Sequence, residues 1–366
     1  MGGTASVPAN ELGVLSVEPL AASTALPDMK ERVTPTKHFF IRNHFAIPEI
    51  DVRNWSLSIS GQVDKPFSLD YDALLAMPSR EVVCLMECAG NSRSTMQPPA
   101  EGVQWDHGAV STASWKGVPI DVVLEGASVR GNAKAVLFDG IDRGSEAYGP
   151  SDLTYAMSIP IKKTLHPDTI LAYEMNGRAL TPEHGYPVRL VAPGWYGMAS
   201  VKWLGGITVM DRPNAGFHEM DYRIYPATDG EADAKVERVT SLKVKSLIST
   251  PTKGDIVSPG LHKIKGVAWS GDGHIAKVEV STDDDRTWRP AKLEERSGNY
   301  SWQHWEIDWV ANNLGHSLLR CRATDSQGNV QPMLAQWNFR GYQVNSIHSV
   351  PITVRKPYPS LLSRLR

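Results

Sequence analysis

The feature that most constrains this fold is a change of side-chain period along the chain. In the last third, Trp305, Ile307 and Trp309 alternate with Glu306 and Asp308, and Leu319, Cys321 and Ala323 alternate with Arg320 and Arg322. A period of two places apolar side chains on one face of a strand. Turn-forming clusters at 270–273, 283–285 and 325–328 separate such runs, so an all-β sandwich of immunoglobulin-like type is expected there. Upstream, residues 39–211 mix short apolar strands with brief helical stretches, such as 71–76, between many Gly and Pro turns. That texture predicts an α+β domain. The Pro, Asp and Gly-rich passage 226–237 reads as a linker, which divides the chain into domains at 37–237 and 238–366. Residues 1–36, rich in Ala, Pro, Thr and Ser, read as an arm that lies over the surface or is partly disordered, without chemistry.

A chain of 366 residues is long enough for two packed cores. Its formal net charge of -2 gives no general attraction to nucleic acid or an anionic membrane surface, so any anion-binding field must be local. No run reaches the length of a membrane span, and residues 1–30 lack the basic start and apolar stretch of a secretory signal. Three cysteines cannot form a disulfide framework, and Cys84 and Cys88 have no further Cys or His pair nearby to complete a zinc site. Neither a Cys-x-x-Cys-His nor a Gly-x-Gly-x-x-Gly after a strand is present, so covalent haem and a dinucleotide cofactor are not expected.

The octet Glu87-Cys88-Ala89-Gly90-Asn91-Ser92-Arg93-Ser94 places a thiol, two small residues and a guanidinium in one short stretch. A thiolate is the soft donor that a high-valent metal accepts, a nearby cation favours its ionised form, and Gly90 permits close approach of a bulky group. On its own the octet leaves two readings open: Cys88 as a metal ligand, or Cys88 as a small buried hydrophobe.

Together with Phe40-Ile41-Arg42-Asn43-His44, Ala172-Tyr173-Glu174-Met175-Asn176-Gly177 and His184-Gly185-Tyr186-Pro187-Val188-Arg189, the octet resembles the sulfite oxidase family of molybdenum enzymes, from about Phe39 to about Val354. The resemblance implies a molybdopterin-binding domain followed by an immunoglobulin-like domain through which two subunits pair as a homodimer. It implies molybdenum held by the dithiolene of a pyranopterin and by Cys88, with Cys84 and Cys321 left as core thiols. It assigns cofactor binding to Phe40, Ile41, Arg42, Asn43, His44, Asp142, His184, Arg189, Ser200, Val201 and Lys202. Arg189 and Lys202 would meet phosphate, which suits a planar fork and a point charge, and Asp142 would accept hydrogen bonds from the pterin. Away from this context His184 reads equally as a satisfied core or surface group.

For the substrate, the same resemblance assigns Arg42, Arg93 and Arg340 as pocket arginines, Trp105 as an aromatic wall, and Tyr222 with its neighbour Asp221 as a hydroxyl donor. Three guanidinium groups packed together need an anion or carboxylate to neutralise them. Arg340 alone, in a β-domain, would read as a solvated surface charge. Two local features depart from the family pattern: Ser92 stands where many members carry another arginine, and His107 where an apolar residue is common. The second suggests a titratable group near the pocket and activity that varies with pH near 6 to 7.

The implied reaction is oxidation of sulfite to sulfate, with electrons passed singly to an external acceptor such as a c-type cytochrome, in the periplasm. Two rivals remain at this level. One is a reductase of the same fold acting on nitrate or a sulfoxide. The other is a two-domain binding protein with a degenerate site, which should have lost Cys88 or broken the arginine set.

Overall fold

The computed structural model describes residues 11–146, 149–225 and 236–357. Two five-stranded sheets build the first domain. In one, Arg80–Glu87 pairs with Val110–Pro119, which pairs with Ile170–Met175, and the latter carries Arg178–Ala179 and Arg189–Val191 on its other side. The other runs in the order Phe67–Asp70, Ser56–Gly61, Leu204–Met210, Ala135–Gly144, Leu153–Pro160, with Ser56–Gly61 and Leu204–Met210 parallel. Helices are short and local in origin. Tyr71–Leu75 starts at Asp70, whose carboxylate accepts from the Ala73 amide at 2.8 Å, an N-cap that satisfies one orphan donor. Ile120–Ala127 buries Ile120, Val123, Leu124 and Ala127, the spacing of one helical face, and ends at Ser128 in the left-handed region.

The second domain is a sandwich whose strands alternate as the sequence predicts. Trp305, Trp309, Leu319, Cys321 and Ala323 are buried in its core, while Asp308 is exposed and Glu306, Arg320 and Arg322 are half-buried. Lys245–Thr250, Gly260–Trp269, Gln303–Ala311 and Lys292–Leu293 form one sheet in that order. Ile256–Val257, His348–Val354, Gly315–Asp325, Ile275–Ser281 and Arg289–Pro290 form the other. Six strands of six or more residues and three two-residue strands thus divide between the two sheets of the sandwich.

The two cores are continuous. Val239, Leu242, Leu247, Val267, Trp269, Trp302 and Tyr342 pack in the same apolar cluster as Leu85, Val110 and Tyr196 of the first domain. Where the structure describes residues 1–36, they pair and pack against the first domain and are not a loose arm. Leu20–Ser23 pairs with both Gly13–Val17 and Ile41–Arg42, Met29 is fully buried, and the Thr34 amide donates to Thr112 O at 2.7 Å. Ala21, Ala22 and Met29 supply the apolar surface that holds this segment in place. Residues 1–10, most of the expected linker (226–235) and 358–366 lie outside the described residues.

Candidate active site

A cavity of about 680 Å³, counting its open mouth, lies between the two sheets of the first domain, within the size range of small-molecule sites. Cys88 enters it directly after the strand Arg80–Glu87: its amide still pairs with Ala109 O at 2.9 Å, and the chain then turns as the Asn91 amide bonds Cys88 O at 2.9 Å. Cys88 is half-buried, whereas Cys84 and Cys321 are buried, and burial pushes both of those thiols up to about 12. From the opposite sheet, the strand Ala135–Gly144 slips register between Asp139 and Arg143, and this bulge turns Asp142 into the cavity. The 3-10 turn Pro182–His184 ends at Gly185, where φ is +103° and a Cβ would press on Arg189 and Lys202, so His184 and Arg189 face the same space.

The cavity is cationic. Arg42, Arg189 and Lys202 line it, and none of them has a carboxylate within 4.0 Å among the described residues. Arg189 instead donates to His184 O and Ser200 O, each at 3.0 Å, and stacks 5.0 Å from the Trp115 ring. Burial pushes Arg189 down to about 9. Burial, then repulsion by Arg189, pushes Lys202 well below the usual lysine range, although its Nζ donates to Glu183 O and to Asn43 Oδ1. Burial pushes Asp142 up to about 7 and His184 down to about 3. His44 is also driven well below its usual value by burial, then by Arg42, and its Nε2 shares a 2.9 Å hydrogen bond with Tyr222 Oη. Four lining residues hold buried polar atoms without a partner: Asn43 Nδ2, Asp142 Oδ1, Glu183 Oε2 and His184 Nε2. Buried polar groups are rarely left so, and unneutralised cations still less, which makes this a site shaped for a polar, anionic occupant.

The residues assigned from sequence divide into two groups. Phe40, Ile41, Arg42, Asn43, His44, Cys88, Asp142, His184, Arg189, Ser200, Lys202 and Tyr222 all line the cavity. Val201 does not: it is buried in the apolar core, and its carbonyl accepts from the Leu190 amide at 2.8 Å. Arg93, Trp105, Asp221 and Arg340 form a layer behind the wall. Arg93 is 6% exposed and sits in a cradle of Gly90, Gly102 and Gly341, at each of which a Cβ would collide with it. The bulky group that Gly90 admits is therefore the Arg93 side chain. Arg93 donates to Arg340 O and Val103 O, both at 2.8 Å, and stacks on Tyr342, so its charge is spent on backbone carbonyls.

Arg340 is a partner of Asp221, at 2.5 Å, and Asp221 also accepts from Tyr342 Oη at 3.1 Å. Tyr342 stacks on Tyr222 with centroids 5.1 Å apart, so the second domain reaches the residues that back the cavity and not the cavity wall itself. Trp105 is fully buried, edge-on to Phe40, with no partner for its indole nitrogen. His107 is likewise away from the cavity. It bonds Ser92 Oγ at 2.8 Å and packs on His348, and burial, helped by Lys245, pushes it down to about 3. The structure therefore places outside the cavity a residue whose sequence position suggested a group near the pocket.

The structure adds lining residues that sequence reading missed. Phe39 and Ala89 adjoin assigned motifs, and Met86 stands two residues before Cys88 on the same strand face, so adjacency and period would have found them. Tyr155, Glu183, Gly197, Met198 and Trp203 also line the cavity. Tyr155 carries no local signal; it arrives from the second sheet and stacks on His44 at 4.4 Å.

Among the described residues no three His, Cys, Asp or Glu side chains group to hold a metal ion. Fold and site together define a cofactor-binding oxidoreductase domain joined to a β-sandwich. Comparison with known proteins agrees. The oxidoreductase molybdopterin-binding domain matches residues 44–218, and the Mo-co oxidoreductase dimerisation domain matches residues 236–355. Sulfite oxidase of Gallus gallus is 36% identical over 359 residues, covering 92% of this chain and 77% of that protein. Mitochondrial sulfite oxidase of Mus musculus is 35% identical over 341 residues, covering 88% of this chain, which spans 62% of that relative's length. An NADH nitrate reductase of Volvox carteri is 35% identical, but the chain spans only 40% of it. In structure the chain is similar to the sulfane dehydrogenase SoxCD of Paracoccus pantotrophus, with a TM-score of 0.79 and 28% identity over 93% of this chain and 88% of that one. The chain belongs to the sulfite oxidase family of molybdenum oxidoreductases. Its cofactor is molybdenum carried by molybdopterin, and the thiol, free cations and unpartnered polar atoms of the cavity fit that group.

Proposed function

We propose that this protein oxidises sulfite to sulfate: sulfite and water give sulfate, two protons and two electrons, and the electrons go singly to an external acceptor of the c-type cytochrome class. The observation that carries this reading is the meeting of Cys88 with Arg42, Arg189 and Lys202 in one cavity without a paired carboxylate. When bound, the cofactor supplies the two-electron redox chemistry. Cys88 would be the chain's metal ligand. Arg189 and Lys202 would bind the phosphate end, with Asn43, Asp142, Glu183 and His184 completing the polar contacts whose atoms are otherwise unpartnered.

Arg42 is the lining cation near Tyr222 and His44, and it would hold the small anion in line with the reacting centre. Tyr222, kept protonated by burial, would donate to an oxygen of substrate or product, with His44 fixing its hydroxyl. Arg340 and Asp221 would act through Tyr342 and Tyr222 by holding the back of this wall.

The likeness to SoxCD favours a second reading, in which the substrate sulfur is a sulfane, and the nitrate reductase relatives favour a third, in which the centre runs as a reductase. The test is sulfite-dependent reduction of ferricyanide and of cytochrome c by protein of known molybdenum content. Turnover with both, lost in Cys88→Ser, supports sulfite oxidation. A fully loaded preparation that is silent with sulfite but reduces nitrate, or oxidises a sulfane, refutes it. A degenerate binding protein would show neither molybdenum nor turnover.

Pairing of two subunits through residues 236–355 belongs to the same proposal, supported by the dimerisation-domain match, and sedimentation of the loaded protein tests it. So does a periplasmic location, which rests on family resemblance and is tested by cell fractionation.

A further inference from the structure

Directly behind Cys88 lies a buried ion pair that the proposed reaction does not use. Glu87 and Lys245 are each 1% exposed, and Lys245 Nζ donates to Glu87 Oε1 at 3.0 Å. Glu87 ends the strand that delivers Cys88, and Lys245 opens the first main strand of the sandwich. The same ammonium donates to Ser92 Oγ at 2.9 Å. Glu87 also accepts from Trp269 Nε1 at 2.9 Å and from Asn91 Nδ2 at 3.0 Å, and Asn91 Oδ1 accepts from the Ala109 amide at 3.1 Å. Both ends of the turn 87–92 are thus tied to one cation from the other domain, with Cys88 between them. Ser92 holds φ at +73°, a conformation unusual for a residue with a side chain, and its hydroxyl is shared with His107, itself packed on His348 of the second domain.

Burying two charges is costly, and an apolar pair of similar volume would pack at least as well. What the ion pair adds is a fixed geometry for the groups it bonds, which a metal-binding thiol needs to within a fraction of an ångström. We propose that Lys245 is a positioning residue for Cys88, through which the second domain sets where the thiol sits. The proposal rests on Cys88 as the metal ligand and not on sulfite as the substrate.

The test compares Lys245→Met with Lys263→Met, which removes a lysine paired at the surface of the same domain. One readout is the alkylation rate of Cys88 in the full-length protein freed of cofactor, well below its unfolding temperature; Cys84 and Cys321 are buried and stay silent. The other is the thiolate-to-metal charge-transfer band of the loaded protein. Lys245→Met is expected to alkylate on the order of tenfold faster, the scale for a networked neighbour that has been uncoupled, and to shift the band, while Lys263→Met matches the unsubstituted protein. Should Lys245→Met not fold, Glu87→Gln with Lys245→Met removes both buried charges, leaves Ser92 untied and carries the same expectation. A lower melting temperature with unchanged alkylation and an unchanged band overturns the proposal, because the pair then only stabilises. Failure of the sulfite reading leaves both readouts intact. Failure of the metal reading appears as an unsubstituted protein without molybdenum or band, in which alkylation still reports.

Discussion

Arg93 Nε donates to the carbonyl oxygen of Arg340 at 2.8 Å, across the boundary between the two domains. Two arginines assigned to one pocket are thereby bound to each other through backbone, and they do different work. Arg93 holds the Cys88 turn against the 338–342 loop, and Arg340 turns its guanidinium to Asp221.

Arg93→Lys is therefore expected to act on stability more than on substrate affinity. A lysine cannot serve Arg340 O and Val103 O at once or stack on Tyr342, and losing a buried, charge-assisted pair of bonds costs about 2–4 kcal/mol. Urea unfolding of the variant checks this. An unchanged midpoint with a raised KM for sulfite would show instead that the guanidinium faces substrate.

Cys88→Ser should fold with little change in melting temperature yet lose the charge-transfer band and turnover, because an alcohol does not replace a soft thiolate on the metal. Cys321→Ala should do the reverse. It trims a fully buried core thiol at a cost of about 1 kcal/mol and leaves turnover in place. Circular dichroism melts and molybdenum assays on both variants separate the two roles.

For Tyr222→Phe the aromatic stack on Tyr342 survives and only the hydroxyl shared with His44 is removed. The expected loss in kcat is roughly 100- to 1,000-fold, the range for removing one preorganised donor. A variant whose kcat is unchanged while its KM rises would place Tyr222 in ground-state binding alone.

His107 is expected to act on acid stability and not on the pH profile of activity. Its folded pKa lies below its unfolded value, so its contribution is present above about 6.5 and is lost as pH falls towards about 3, where burial has pushed it. His348, Asp106 and Lys245 face it, and His348 is depressed in the same sense, so the two rings add. An upper bound for His107 is about 5 kcal/mol across that window. His107→Gln should flatten the fall of the urea midpoint between pH 6.5 and 4. It should leave the pH dependence of turnover unmoved, and a shifted activity profile would contradict the placement.

Much of this site is legible in sequence because it is carried by short stretches. The segment 40–44, the cysteine turn, and the pair His184 and Arg189 each place several lining residues within a few positions of one another. Strand alternation at 305–309 and 319–323 likewise reports burial directly, since neighbouring side chains on a strand point to opposite faces.

What sequence could not decide is where long side chains point. Arg93 lies 247 positions from the carbonyl it bonds, and Lys245 lies 158 positions from Glu87. Nothing local distinguishes an arginine that lines a cavity from one cradled by three glycines drawn from separate loops. The same holds for Tyr155, which reaches the site from the opposite sheet, and for His107, whose exposure depends on a domain packed over it. By itself the sequence determined the change from an α+β texture to alternating strands, because period and turn chemistry are local properties, and its compact motifs carried the family resemblance that implied the thiol ligand and the cofactor residues. Only the tertiary structure decided which cations remain unpaired and which are consumed by carbonyls and carboxylates, because that partition is set by long-range packing and by desolvation when the two domains close on each other.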